Sequence, residues 1–305
     1  MSTQSRVDLL EDVGPVTLTK QWYADGTVID AGTVTIGITD ANGDTVVAAA
    51  TATTKTGATT TTTYTYALAA QAEPNRLKVT WTRSDTSVPL VDWIEVFGSQ
   101  LFTEAEARAY QISGAQAPLS AAAYTDAMIA NERLRIQDLF ESKTGRSWVR
   151  RYARVALRGS GCEAIRPGDG RARDATGRKL AGDGYGRDIV RVISGVVNGT
   201  AVDLANVVVD GDRIWLTSGT WATPSSTNPL NVVIEYEYGI DPPDSEAHEN
   251  ALILAVSSLV PSDVSSFADS FSNQAGNTSF NPEFGFVYPK RVFEWLKRAD
   301  MRVFV

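Results

Sequence analysis

The chain has 305 residues, 43% hydrophobic and 21% charged, with a formal net charge of −8; that is the composition of a globular protein long enough for two domains. One cysteine, Cys162, excludes an internal disulfide framework, and one histidine, His248, leaves too few ligands for a His/Cys zinc site. No apolar run approaches the ~20 residues that cross a bilayer, and the N-terminal MSTQSRVDLLEDVG lacks a basic segment followed by an apolar one, so cytosolic synthesis without a signal peptide is expected.

Residues 15–98 read as all-β. VTLTKQWY, TVTIGITD, TVVAAAT, TTTTYTYAL, NRLKVTWTR and LVDWIEVFG are short β-branched or aromatic runs. In one of them Val34, Ile36 and Ile38 share a face and Thr33, Thr35 and Thr39 the other, the period of a half-buried strand. Asp25-Gly26 and Asn42-Gly43 supply the positive φ angles of tight hairpin turns. This density of strands predicts a sandwich over residues 1–98. Asp40, Asn42 and Asp44 imitate the start of a calcium loop, but Thr45 and Thr51 stand where that loop needs glycine and glutamate, so a hairpin turn is expected. Trp22, Trp81 and Trp93 offer a sugar platform, although their period-two placement favours the sandwich core.

The character changes after Phe97-Gly98. Thr103 and Glu106 form a capping box for a short helix at about 103–111. A second helix is expected over about 120–143, with Tyr124, Met128, Ile136, Leu139 and Phe140 on its apolar face and Gly145 as its stop. Further helices are expected at about 245–260 and 289–300. His248 falls in the first turn of the third and reads as a solvated residue there. Glu235 and Glu237 lie two apart on one strand and read as solvated strand-face charges.

A β region spans about 147–239. On its first strand Val149, Arg151, Ala153, Val155 and Leu157 share one face, while Arg150, Tyr152, Arg154 and Arg158 make the other face basic. The insert at 159–187 follows, rich in glycine, arginine and aspartate. Burying its Ile165, Leu180 and Tyr185 contributes roughly 5–9 kcal/mol, against roughly 30–60 kcal/mol for fixing its backbone. It is therefore expected to be mobile in the free protein or ordered against a partner. Residues 130–195 hold fifteen Lys/Arg and eight Asp/Glu, against thirteen and twenty-eight in the rest of the chain. This concentration nominates Arg150, Arg154, Arg158, Arg166, Arg171, Arg173, Arg178, Lys179 and Arg187 as contacts for an acidic protein surface or a nucleic-acid backbone. Gly182, Gly184 and Gly186 do not make a dinucleotide loop, because DIVRVIS after them reads as a strand. No catalytic residue, cofactor site or metal site is expected, and the chain is not read as an enzyme.

The order of elements from about residue 100 resembles the head–tail connector (adaptor) proteins of long-tailed bacteriophages. The matching parts are the Thr144-Gly145-Arg146 helix ending, the strand Val232–Gly239 running into Asp241-Pro242, and the helix from Ser245. The N-terminal segment looks like the immunoglobulin-like domains appended to phage virion proteins. The resemblance implies an α+β, multidomain chain: an immunoglobulin-like β-sandwich at 1–98, then an α-helical connector domain at 99–305 with a small antiparallel β region. It implies a structural protein of the virion neck, without catalytic residues or cofactors and without a membrane. Its partners would be further copies in a ring, usually twelve-fold, the portal protein, a tail-side stopper protein and the genomic double-stranded DNA that passes without sequence specificity. Val292, Phe293, Trp295 and Leu296 would be a C-terminal docking stripe for a neighbour. The alternative is a tail or surface module whose β domain contacts glycans or a partner protein.

Overall fold

The computed structural model of the chain describes residues 7–58, 61–85, 89–111, 119–167, 188–240, 244–259, 279–281, 286–288, 292, 294–296 and 298. Ten strands come first: β1 (Val7–Leu10), β2 (Val16–Lys20), β3 (Trp22–Ala24), β4 (Thr27–Ile29), β5 (Val34–Thr39), β6 (Thr45–Ala52), β7 (Thr54–Thr56), β8 (Thr63–Leu68), β9 (Asn75–Arg83) and β10 (Leu90–Phe97). They form a five-stranded sheet in the order β1-β10-β9-β5-β6, a three-stranded sheet β2-β8-β7 and the hairpin β3-β4. Only β1 and β10 pair in parallel in the large sheet. The alternation expected along β5 is present: Val34, Ile36 and Ile38 are buried with Leu77, Val79 and Trp81 of β9 and Leu18 and Tyr64 of the second sheet. Asp40 closes the β5–β6 turn by accepting the amides of Asn42 and Asp44, each at 2.8 Å.

Helices α1 (Glu104–Ala109) and α2 (Asp126–Thr144) follow. Both halves of the capping box form: Thr103 Oγ1 accepts the Glu106 amide at 3.2 Å, and Glu106 accepts the Thr103 amide at 2.7 Å. Gly145 ends α2 with φ of 61°, the left-handed conformation that glycine adopts without a Cβ penalty. The buried face of α2 differs from the expected one. It carries Ile129, Arg133, Ile136, Gln137, Phe140 and Thr144, while Met128 is exposed. Arg133 lies on the inner face because it donates to Glu104 at 2.7 Å, Gln100 at 3.1 Å and the Phe102 carbonyl at 3.2 Å. The first five residues expected in this helix, from Ser120, form turns ahead of the Thr125 cap.

The next strands are β11 (Arg151–Leu157), β12 (Ala164–Ile165), β13 (Ile189–Val197), β14 (Thr200–Ala201), β15 (Val207–Asp210), β16 (Arg213–Leu216) and β17 (Val232–Tyr238). They build two sheets, β11-β17-β13-β14 and β12-β16-β15. Val155, Ile214, Trp221, Val232, Ile234 and Tyr236 are completely buried between them. Helix α3 (Ser245–Leu259), the hairpin β18 (Ser279–Asn281) and β19 (Phe286–Tyr288), and helical residues around Trp295 complete the order. A third cluster gathers Phe97, Phe102, Ile136, Phe140 and Trp148 with the inner face of α3, Val292 and Trp295.

This arrangement overturns the expected fold class. The chain is mostly β, 40% strand against 22% helical, and no helical connector domain is evident among the described residues. The reason is physical. The β region between α2 and α3 is not a small appendage to a helical body, since it closes a twelve-residue apolar core of its own. An all-β sandwich describes the N-terminal part. The expectation that 159–187 has no order of its own also fails at its start: β12 pairs with β16, which buries Ile165. Residues 168–187 lie outside the described residues.

Candidate functional site

A dense set of charged side chains lies where the β11-β17-β13 sheet meets the N-terminal sandwich. One face of that sheet is apolar and covers the second core. The other carries Tyr152 and Arg154 of β11, Glu235 and Glu237 of β17, and Arg191 and Ser194 of β13. The antiparallel registers set Arg154 of β11 opposite Glu235 and Arg191 of β13 opposite Glu237, so basic and acidic residues meet across the ladder as complementary pairs. Glu235 is 5% exposed and Glu237 not at all. They are therefore not the solvated strand-face charges expected.

Arginines neutralise these carboxylates. Arg154 Nε donates to Glu235 at 3.1 Å and Ser194 Oγ to its other oxygen at 2.9 Å. Arg191 donates to Glu237 at 2.6 Å and lies 3.2 Å from Glu73 of the sandwich. The Glu237 hydrogen bond, joined by Glu73, pushes the Arg191 guanidinium further above its usual range, although burial opposes this. Arg150 pairs with Glu11, and its second terminal nitrogen is 3.8 Å from Glu237. Gly98 passes so close that a Cβ there would fall 2.1 Å from Arg150 Nε.

Arg151 is the centre of a second set. Its Nε and one terminal nitrogen make parallel 2.6 Å bonds to the two oxygens of Glu95 on β10, its remaining nitrogen bonds Glu141 on α2, and its guanidinium carbon lies 5.0 Å from the Phe97 ring centre. Burial opposes its charge, but Glu95 and Glu141 outweigh that and hold it protonated. Burial raises the Glu141 carboxyl, and Arg151 opposes the shift. Burial beside Glu235 likewise raises the Tyr152 phenol. Arg154 also donates to Asn42 of the β5–β6 turn at 3.0 Å. The sandwich, α2 and the second β module are thus fastened by one array of ion pairs. Carboxylates clasped in this way accept fixed hydrogen bonds; their chemistry here is to hold the modules in one orientation.

Arg150 and Arg154, nominated as partner contacts, therefore have partners within the chain. Arg158 and Arg166 do not belong to the clasp. They line an open groove of about 720 Å³ at the other end of β11, with Leu157, Gly159, Ser160, Ile165, Arg213, Thr223 and Pro224. Arg213, far along the chain from Arg166, was not legible as its neighbour until β12 paired with β16. Arg171, Arg173, Arg178, Lys179 and Arg187 lie outside the described residues.

The C-terminal stripe is buried within the chain. Val292 is fully covered and Trp295 is 2% exposed, its ring centre 4.7 Å from Phe140 and 5.1 Å from Trp148. Leu296 is half-buried against the same cluster, and the side chain of Phe293 lies outside the described residues. In the sandwich Trp22 and Trp81 are core residues and Trp93 is half-buried under Arg76, so the three do not form a surface platform. His248 is half-buried with Nε2 3.4 Å from Glu106, and Cys162 is exposed. Among the described residues no group of three or more His, Cys, Asp or Glu side chains is placed to hold a metal ion, and no helix is long and apolar enough to cross a membrane. No protein-family model matches the chain, and comparison with curated proteins finds no match.

Proposed function

We propose that the chain is a structural subunit of a bacteriophage neck, assembling with copies of itself into a ring between portal and tail through which DNA passes. The observation that carries this reading is the clasp. Arg150, Arg151, Arg154 and Arg191 are spent on holding two β modules and a helix in one orientation, as a load-transmitting subunit requires. The order of elements supports the same reading. A short and a longer helix precede the β module, a third follows it, and segments from residues 97 to 295 return to one apolar cluster. The body is mostly β, so ring contacts would involve β surfaces as well as helices. The glycan-binding alternative has lost its aromatic platform, since Trp22 and Trp81 face inward. Native mass spectrometry over a wide concentration range, with negative-stain imaging of the same samples, tests the proposal. Closed rings are expected of a cyclic assembly, of about a dozen subunits by the resemblance to connector proteins; an open, irregular aggregate as the sole product would overturn it.

A further inference from the structure

We propose that the groove at the far end of β11 is a binding site for the phosphate backbone of nucleic acid, with Arg158, Arg166 and Arg213 as its ligands. The argument begins with a contrast in charge balance. At the clasp each arginine meets a carboxylate at hydrogen-bonding or ion-pair distance. Around the groove, among the described residues, Arg166 and Arg213 share one carboxylate, Asp212, which lies 3.5 Å from Arg166 and 3.9 Å from Arg213. Neither distance is a hydrogen bond. Arg213 also lies 5.9 Å from the Trp215 ring centre, and Arg158 is exposed with no partner among the described residues. Among the described residues the groove is therefore left with net positive charge.

The shape and residue type narrow the ligand. The lining combines the buried Leu157 and Ile165 with the three arginines and with Ser160 and Thr223. All three cations are arginine, whose planar fork matches the oxygens of a phosphate and binds two at once. Several separate guanidinium groups around an open groove suit a ligand bearing anionic groups at intervals. A lone carboxylate would occupy one fork and leave the others. The basic insert adds to this: Arg166 is its last described arginine before residues 168–187, whose sequence holds five further Lys/Arg against three Asp. Because the whole chain carries −8, attraction for a polyanion is local to this face, and affinity is expected in the non-specific range of roughly 10⁻⁴–10⁻⁶ M at physiological salt. The choice of DNA as the source of the phosphates rests on the neck reading; the groove's need for several anionic oxygens does not.

The test uses the full chain and a fluorescein-labelled DNA duplex, with anisotropy followed from about 50 to about 200 mM salt. The parent should bind with a steep salt dependence. The R158Q/R166Q/R213Q variant should bind at least about tenfold more weakly, with the slope of log K against log salt flattened by about 2–3. These side chains are outside the apolar cores, so circular dichroism should be unchanged; Arg158→Gln alone, at the exposed position, should flatten the slope by about 1. No binding by the parent at low salt, or unchanged binding by the triple variant, would overturn the proposal. Poly-glutamate bound as tightly as DNA at equal ionic strength would overturn the choice of nucleic acid in favour of an acidic protein. Rings without DNA affinity would sink this inference and leave the neck reading standing, and DNA affinity in a chain that never assembles would do the reverse.

Discussion

Replacing Arg151 by methionine removes the charge at the centre of the clasp and keeps a stem to cover Phe97. Arg151 is 7% exposed, and the side chains of Glu95 and Glu141 that face it are 19% and 20% exposed. The substitution leaves two carboxylates facing each other in a nearly closed space. Breaking a buried pair by removing one partner costs about 3–5 kcal/mol. Two carboxylates lose the guanidinium they share, which raises the cost of Arg151→Met, while their residual exposure and the Ser147 hydroxyl that donates to Glu141 at 3.1 Å reduce it. The triple variant Arg151→Met, Glu95→Gln, Glu141→Gln removes the two negative charges too. It should recover most of the loss and end within about 2 kcal/mol of the parent, since neutral replacement of a buried triad is often tolerated. Urea unfolding followed by tryptophan fluorescence reads both, because Trp81 and Trp148 report on opposite sides of the clasp. The reasoning is refuted if Arg151→Met costs less than about 1 kcal/mol, the range of an exposed pair, or if the triple variant is no more stable than the single one.

Other consequences are independent of the clasp. Gly239 has φ of +115°, and a Cβ there would sit 2.1 Å from the Val149 carbonyl oxygen, so Gly239→Ala should cost at least about 1–3 kcal/mol in the same unfolding assay. Trp295→Ala should cost about 3–5 kcal/mol and raise amide exchange along α3, since it empties the space between Phe140 and Trp148. In the sandwich the Lys55 hydrogen bond, with the Gly32 amide and the Tyr64 hydroxyl, holds the Asp30 carboxyl at about 2, below the ordinary aspartate value of 3.8. A depressed carboxyl contributes stability above its unfolded pKa and loses it as pH falls through the folded one, so this contribution should fade between about pH 4 and about pH 2. Carbon-13 titration of the Asp side chains should show Lys55→Met returning Asp30 toward 3.8.

Local chemistry was legible in the sequence. The alternation of Val34, Ile36 and Ile38, the Thr103–Glu106 capping box and the Gly145 stop depend on residues a few positions apart, and each is present. What depended on distant partners was not. Glu237 reads as a surface charge until Arg191, 46 positions away, is placed beside it, and the sequence places Arg151 on a face with Val149, Ala153, Val155 and Leu157 without showing that Glu95, 56 positions away, meets it there. The apolar face of α2 was misphased for the same reason, because Arg133 is carried inward by Glu104 and the Phe102 carbonyl. The fold class failed on balance between elements. Each strand from 151 to 238 is short, and only their closure on a common core shows that the β part outweighs the helices. The basic face of β11 was visible, but its use within the chain was not, and the groove needed β16 to bring Arg213 to Arg166.

The neck assignment is tested most directly by mixing the full chain with DNA-filled, tailless phage heads that display their portal, and measuring co-sedimentation by quantitative mass spectrometry. The account predicts saturable attachment at about a dozen copies per head, the ring stoichiometry expected of such assemblies, and its loss on heads lacking the portal. No attachment to portal-bearing heads, from a chain that also stays monomeric at every concentration, would contradict it.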